Sequence, residues 1–331
     1  MSDDIDRKIL RALHYAPRAS FRLIGEVAGV SEQTAARRYH ALRREGVMRV
    51  IGLVNPEVHG QARWIARIRC RPDRVGPLAE ALARRPDIAY AGLVSGGAEI
   101  ICVIHSAVEV QRDDVLLRQL PKSASVLDVS IDLIIHPFGA ADTAVWAGYG
   151  GHLTPEQIRR LTADRPPAPS GPLLPLTAED APLLDALAED GRTTHTQLAE
   201  LTGWSKARVA RRLDSLESSG TLSYEVDLLP ERLGHQLNAM LWLRVAPARL
   251  QRVGDELAGH DEVAFAGAIS GDHNVLSIVN CRDAEDFYRY LTTRVAAVPG
   301  IDGYSVSIRV RRLKQAASLI AHGRLVHPGL A

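Results

Sequence analysis

The sequence is poor in aromatic residues, in cysteine and in net charge. Phe, Trp and Tyr account for 5% of its 331 residues, cysteine occurs three times, and the formal net charge at pH 7 is +1. A net charge near zero excludes the global basic field of histone-like proteins, so any affinity for nucleic acid must come from local clusters. Cys70, Cys102 and Cys281 lack metal-ligand spacing and stand in apolar runs, which predicts core packing in a reducing compartment.

Long apolar runs and targeting signals are missing as well. No stretch of about 18 apolar residues exists, and the opening residues MSDDIDRK lack the pattern of a signal peptide. We therefore expect a soluble, cytoplasmic protein without a membrane partner. The sequence also lacks a Walker-type loop and a Ser/His/Asp grouping, so we expect no cofactor, no bound metal and no catalytic residues.

The chain contains an internal repeat. A shift of 174 positions, which takes Asp6 to Asp180, lays residues 197–220 over residues 23–46 without a gap. The identical residues are Glu26, Gly29, Ser31, Ala36, Arg37, Arg38, Leu42 and Gly46 in the first copy and Glu200, Gly203, Ser205, Ala210, Arg211, Arg212, Leu216 and Gly220 in the second. Further along, the offset becomes 175, which takes Gly96 to Gly271. The sequence therefore predicts a tandem duplication.

Each repeated segment has the pattern of a helix-turn-helix. Gly29 and Gly203 can adopt the positive φ that ends a helix in a sharp bend. Ser31 and Ser205 then supply the N-cap hydroxyl of the next helix. The predicted buried stripe of that helix comprises Ala35, Tyr39 and Leu42 in the first copy and Val209, Leu213 and Leu216 in the second.

The opposite face of this helix is polar and basic, which is the chemistry that reading the DNA major groove requires. An ordinary solvated surface is the alternative interpretation, and the repeated turn chemistry favours DNA. Arg38 and Arg212 lie at the edge of the buried stripe, so phosphate contact or packing is expected for them rather than base reading. The predicted DNA-binding residues are Ser31, Gln33, Thr34, Arg37, Arg38, His40 and Arg44 in the first copy and Ser205, Lys206, Arg208, Arg211 and Arg212 in the second.

The two copies present different side chains on this face. Arg can pair with guanine and Gln33 with adenine, whereas Asp214 of the second copy accepts from cytosine but repels phosphate. We therefore expect double-stranded DNA with a pseudo-palindromic operator and unlike half-sites, and stronger binding by the first copy.

Strand-like and helix-like runs alternate after each helix-turn-helix in the order βαββαβ. This order favours a four-stranded antiparallel sheet with two helices on one face, the ferredoxin-like arrangement. Apolar residues fill both faces of the strands, so the same face of the other copy is expected to cover the open side. The predicted strands are 64–70, 88–94, 100–105 and 126–135 with helices 73–84 and 108–120, and then 238–245, 263–269, 275–281 and 304–310 with helices 248–258 and 284–295.

The predicted fold class is α+β, with two tandem copies of a winged-type helix-turn-helix domain followed by a ferredoxin-like domain. Residues 47–54 are interpreted as a short hairpin or a bridging strand. The predicted domains are helix-turn-helix 1–50 and 177–224, ferredoxin-like 51–137 and 225–331, and a stiff linker 138–176 that contains a short helix capped by Thr154.

The motif S-x6-R-x3-L-x3-G, followed by a βαββαβ domain with a Gly-containing turn between its second and third strands, resembles the Lrp/AsnC family of transcription regulators. This resemblance implies DNA binding by the helix-turn-helix, sheet-to-sheet pairing of the second domain, and a homo-oligomer. It also implies that a small effector, an amino acid or a related metabolite, binds near the turn. The turn residues carried over are Ser95, Gly96, Gly97, Ala98 and Glu99, and Ser270, Gly271, Asp272, His273 and Asn274.

Both turns depart from the family pattern T-G-x-Y-D. Glu99 keeps a carboxylate that can pair with the ammonium group of an amino acid, whereas Asn274 cannot supply the charge. A plain tight bend made by glycine is the alternative for both turns.

Two other functions compete with this interpretation. The first is a siroheme decarboxylase-like enzyme, a family similar in both domains, for which Asp272, His273 and Asn274 are the only sequence support. The second is an effector-sensing or oligomeric module with a vestigial helix-turn-helix, against which the retained arginines argue.

Overall fold

The computed structural model describes residues 3–107, 125–139, 146, 148–163, 171–316 and 318–327. The chain forms two compact units that do not follow the linear order of the sequence. One unit comprises residues 2–60, 150–229 and 321–331, and the other comprises residues 61–149 and 230–320. We refer to them as the helical unit and the barrel unit.

The helices and strands alternate along the chain. The helices are α1 (Asp4–Tyr15), α2 (Phe21–Ala28), α3 (Glu32–Arg44), α4 (Val75–Ala83), α5 (Pro155–Thr162), α6 (Ala181–Glu189), α7 (His195–Thr202), α8 (Lys206–Ser218), α9 (Leu250–Ala258) and α10 (Ala284–Arg289). The strands are β1 (Met48–Val54), β2 (Gln61–Cys70), β3 (Ile88–Val94), β4 (Glu99–Ala107), β5 (Val126–Pro137), β6 (Leu222–Leu228), β7 (Leu237–Val245), β8 (Val263–Ile269), β9 (Val275–Cys281), β10 (Ile301–Gln315), β11 (Ser318–Ala321) and β12 (Arg324–Val326). The helix predicted over 108–120 and part of the predicted linker lie outside the described residues.

The helical unit contains two three-helix clusters, α1–α3 and α6–α8, which we call the first head and the second head. Gly29 and Gly203 end α2 and α7 in the left-handed conformation, with φ of 75° and 70°. The hydroxyls of Ser31 and Ser205 accept hydrogen bonds from backbone amides in the first turns of α3 and α8. The predicted turn chemistry is confirmed in both heads.

The wing expected after each head is replaced by a strand shared between the heads. β1 pairs antiparallel with β6, and Ile51 lies opposite Glu225, its equivalent at an offset of 174. The winged-type prediction is wrong because β1 continues through a short 3-10 turn at Pro56–His59 into β2. Its hydrogen-bonding edge is satisfied by the other copy, so the bridging-strand interpretation holds.

The barrel unit is built on eight antiparallel strands in the closed order β10-β3-β4-β2-β5-β8-β9-β7, with β7 pairing back to β10. Within each half the strand order is that of the ferredoxin-like arrangement, β3-β4-β2-β5 and β8-β9-β7-β10. The seams between the halves are β3–β10 and β5–β8.

The open side of each sheet was expected to be covered by the same face of the other copy, and the structure adds that the two sheets close into one barrel. The edge strands of each half pair with the edge strands of the other half, since unpaired edges would leave backbone donors and acceptors unsatisfied. The inner faces still meet: Ile65 and Ile101 pack with Met240, Trp242 and Leu276 inside the barrel. Among the described residues, no helix is long and apolar enough to cross a membrane.

Candidate nucleic-acid interface and effector turns

The outer face of α3 carries the side chains predicted to read DNA. Gln33, Arg37, His40 and Arg44 are exposed. The stripe of Ala35, Tyr39 and Leu42 on the opposite side of the helix is buried. The sequence places no acidic residue between Gln33 and Arg44 on this helix, so the exposed face is polar and basic throughout.

The cap of α3 organises the start of that face. Ser31 Oγ accepts from the backbone amide of Thr34 at 3.2 Å and donates to Thr34 Oγ1 at 3.0 Å. Both side chains therefore have local partners, and the free amides of the first turn lie beside them.

Arg38 holds the first head together. Its guanidinium donates to Asp3 at 2.7 Å and to Asp6 at 2.9 Å, which fastens α3 to the start of α1. The hydrogen bonds to Asp6 and Asp3 raise the pKa of Arg38 above its usual value. These contacts favour the packing interpretation of this residue over a base-reading one.

Arg212 plays the same part in the second head. It forms a bidentate pair with Asp180, with donor–acceptor distances of 2.7 and 2.6 Å. Burial alone would raise the pKa of Asp180, but the hydrogen bonds from Arg212 and Thr177 outweigh it and leave that pKa below the usual value. The repeat thus preserves an internal ion pair at the same place in both heads.

The outer face of α8 differs from that of α3. Lys206 and Arg211 are exposed, and so is Asp214, which places a carboxylate on the same helix. Arg208 forms an ion pair with Glu179, and its guanidinium lies 4.1 Å from the centroid of the Trp204 ring. Less unpaired positive charge therefore faces solvent on the second head than on the first.

A reciprocal pair of arginines, Arg18 and Arg192, joins the two heads. Arg192 donates to the carbonyl oxygen of Ala19 at 2.7 Å and also to that of Pro17. Arg18 donates to the carbonyl oxygen of Thr193 at 3.1 Å and also to that of Gly191.

These partners are equivalent at an offset of 174, so the contact is nearly two-fold symmetric. Sequence reasoning missed this pair, although Arg18 and Arg192 occupy matching positions of the repeat. Their contacts connect the loop before α2 of the first head with the loop before α7 of the second head.

The first candidate effector turn, residues 95–99, is exposed at Ser95, Gly96 and Ala98. Ser95–Gly97 forms a single 3-10 turn between β3 and β4, and φ is 70° at Gly96 and 87° at Gly97. A side chain at either glycine would meet no atom within 4 Å, so backbone conformation and not crowding requires glycine there. Ser95 Oγ donates to Glu99 Oε2 at 3.3 Å, and Glu99 is partly accessible.

The second candidate effector turn, residues 270–274, is hydrogen-bonded to the neighbouring strands β5 and β7. Ser270 Oγ accepts from the backbone amide of Leu133 at 2.9 Å and donates to Asp132 at 3.3 Å. The Asn274 amide is fully engaged with the backbone of Val245, at 2.9 Å to its N–H and 2.7 Å to its carbonyl oxygen. Asn274 therefore positions the turn, and a Cβ at Gly271 would lie 2.3 Å from Asp132 Oδ1.

Asp132 on β5 contacts the second turn through Ser270, and sequence reasoning missed it. Burial raises its pKa above the usual value, against the hydrogen bond from Ser270 and the charge of Arg67, which lower it. Arg67 in turn stacks over the Trp242 ring, 4.5 Å from its centroid.

Comparisons with known proteins match both units. The family model described as AsnC-type helix-turn-helix domain matches residues 3–43 and 176–217, and the model described as Lrp/AsnC ligand binding domain matches residues 238–319. The HTH-type transcriptional regulator LrpA1 of Halobacterium salinarum is 30% identical over 133 residues, which are 40% of this chain and 94% of that protein. LrpA of Pyrococcus abyssi is 28% identical over 136 residues, or 41% of this chain and 96% of that protein.

Solved structures of a siroheme decarboxylase are similar along nearly the whole chain. The siroheme decarboxylase NirDL superimposes with a TM-score of 0.63 at 13% identity, covering 95% of this chain and 93% of that one. At that identity the likeness concerns the fold alone.

Proposed function

This chain belongs to the Lrp/AsnC family of transcriptional regulators, and we propose that it binds double-stranded DNA through α3 and α8 under the control of a small-molecule effector. The proposal includes action in the cytoplasm and a pseudo-palindromic operator with unlike half-sites. It also includes two tandem copies of head and ferredoxin-like half, whose closed barrel takes the place of a pair of single-copy chains. Further association into a homo-oligomer is part of the same proposal.

The exposed basic face of α3 is the observation that carries the DNA proposal. Arg37, His40 and Arg44 point away from the buried stripe, and Arg38 beside them is held by Asp3 and Asp6. On this helix Arg38 is used for packing within the head, while Arg37 and Arg44 are exposed to solvent. Exposed arginines on one face of a helix are what binding in the DNA major groove needs.

Substitution of Arg37 tests the proposal. The operator is first identified by sequencing genomic fragments retained by the purified chain. Arg37→Ala should then weaken operator binding by about tenfold to a hundredfold, the usual value of one arginine–guanine contact. Arg282→Ala removes another exposed arginine, from the barrel unit, and should leave binding unchanged. Equal affinity of all three proteins for the fragments, or no selective retention of any fragment, would overturn the proposal.

We assign effector binding to the first turn before the second. The first turn is exposed and has a carboxylate at Glu99. In the second turn, the side-chain amide of Asn274 is already hydrogen-bonded to the backbone of Val245. A carboxylate favours an amino acid or a related amine, because it can accept charge-assisted hydrogen bonds from an ammonium group. Any effector must bind the DNA-binding and non-binding forms with different affinity to regulate the protein.

The enzyme alternative has the fold likeness to siroheme decarboxylase as its support, and no activity follows from fold alone. Its sequence support was Asp272, His273 and Asn274, and the Asn274 amide is engaged in holding the turn. Pigment turnover by the purified chain would favour the enzyme over the regulator.

A further inference from the structure

The two heads differ in how the first helix of the helix-turn-helix is covered. Val27 on α2 and Leu201 on α7 are equivalent at an offset of 174, and both are apolar. Val27 is 1% exposed, whereas Leu201 is 60% exposed. An isolated exposed leucine is common, but an exposed leucine whose repeat equivalent is covered indicates a contact that one head has and the other lacks.

The helix α5 provides the cover on the first head. It packs on α1 and α2 and buries Leu161. Gln157 Nε2 donates to the carbonyl oxygen of Val27 at 2.8 Å, and Arg160 forms an ion pair with Glu26. The cover therefore consists of a side-chain amide, an arginine three residues later, and a leucine directly after the arginine.

The second head keeps the groups that receive such a helix. Glu200 stands in the place of Glu26 and is exposed, and the carbonyl group of Leu201 stands in the place of that of Val27. Glu200 and Leu201 are thus adjacent on α7, as Glu26 and Val27 are on α2. We call Glu200 and Leu201, with the adjoining surface of α7, the open face.

We propose that the open face is a docking site for an amphipathic helix of a partner protein, with the pattern amide–x–x–Arg–Leu that α5 shows. The negative charge of Glu200 selects a basic helix, since an acidic one would be repelled. A helix lying with its apolar residues on this face follows the helix-in-groove mode of peptide recognition. The proposal concerns a protein contact and does not depend on DNA or effector binding.

A second copy of the chain is a poorer occupant than a partner protein. Its α5 is already bound to its own first head through Gln157, Arg160 and Leu161. Moving that helix to a neighbouring molecule would expose Val27 and break the contacts of α5 with its own first head. The contacts formed on the neighbour would only replace those that were lost. Such an exchange gains no contact to offset the lost freedom of two molecules.

A peptide with the sequence of residues 152–163 is the probe, because it carries the required side chains in the required order. Titrated into the full chain, it should bind saturably with one site per chain. Leu201→Asp should weaken this binding by about tenfold or more, because the apolar contact is lost and a charge would be buried. The melting temperature of this variant should be unchanged, since Leu201 is exposed. Tyr288→Asp, at an exposed aromatic residue of the barrel unit, is the matched control and should bind the peptide normally.

A charge exchange locates the site. Glu200→Arg should abolish binding of the peptide, and a peptide in which Arg160 is replaced by Glu should bind the Glu200→Arg chain again. Absence of saturable binding, or equal binding by the Leu201→Asp chain, would overturn the proposal. Binding that is lost in Glu26→Arg but kept in Glu200→Arg would also overturn it, because the peptide would then be replacing α5 on the first head. Dissociation of an oligomer by Leu201→Asp would identify the occupant as a second copy and reject a partner protein.

Discussion

The two heads share their internal contacts and differ on their surfaces. Both have a left-handed glycine and a serine cap between the paired helices, and both close with an arginine ion pair, Arg38 with Asp6 and Arg212 with Asp180. Their outward faces diverge, because α3 has no acidic residue between Gln33 and Arg44, whereas the outer face of α8 carries Asp214. The ion pair and the turn chemistry inside each head are thus retained in both copies, whereas several exposed positions of α3 and α8 differ.

The largest expected effect concerns the ion pair of the second head. Arg212→Ala leaves the buried carboxylate of Asp180 without its partner, and we expect a loss of about 3 kcal/mol from the unfolding free energy of that head at neutral pH. Arg38→Ala should cost about 1 kcal/mol, because its acidic partners are more exposed. Amide hydrogen exchange measures the stability of the two heads separately. Equal losses in the two variants would contradict the expectation that the more buried ion pair contributes more.

The stability lost in Arg212→Ala should depend on pH. In the native chain the pKa of Asp180 lies below its usual value of 3.8, so the pair stabilises the head above that pH and the stabilisation is lost as the pH falls through the lowered pKa. Without Arg212 the strongest of the contacts that lower this pKa is lost, so we expect the pKa of Asp180 to move upward. The difference in unfolding free energy between Arg212→Ala and the native chain should therefore be largest at neutral pH. It should disappear at acidic pH, because Asp180 is then protonated in both the folded and the unfolded chain.

The next prediction compares the exposed faces of α3 and α8. Arg37→Ala should reduce operator affinity more than Arg211→Ala, because Asp214 weakens phosphate attraction around α8. We expect a ratio of about three- to tenfold between the two variants at moderate salt, measured by gel shift on one operator fragment. Equal losses would contradict unlike half-sites and indicate that both heads bind with the same strength.

The smallest effect compares the covered and uncovered apolar positions. Val27→Ala should lower the unfolding free energy of the first head by about 1.5 kcal/mol, because two buried carbon atoms are removed under α5. Leu201→Ala should stay within about 0.5 kcal/mol of the native second head, as is usual for exposed sites. Denaturant unfolding with the chain alone, without any added peptide, makes this measurement. A loss at Leu201 as large as the loss at Val27 would contradict the difference in burial between the two positions.

Local features were predictable from the sequence, and pairing between distant segments was not. The strands 88–94, 263–269 and 275–281 have the predicted bounds, and Gly29 and Ser31 gave the helix-turn-helix, because these features depend on neighbouring residues. The closure of the barrel escaped prediction, since nothing in β3 or β10 marks which edge each will meet.

Functional side chains show the same limit. The exposed face of α3 follows from helical periodicity around Ala35, Tyr39 and Leu42, so the sequence predicted it. Asp132 and the pair of Arg18 and Arg192 act on segments more than 130 residues away, and a single aspartate or arginine does not indicate its distant partner. Comparison of the two copies position by position would have singled out Arg18 and Arg192.

The closed ring of strands has a consequence for how the protein behaves on dilution. Both seams, β3–β10 and β5–β8, join segments of one polypeptide, so their formation is unimolecular. A ring assembled from two separate chains would come apart as concentration falls, whereas this one is expected to persist at the few copies per cell at which a scarce protein can operate. Each seam also has to fit only one partner sequence, which leaves the two halves free to specialise.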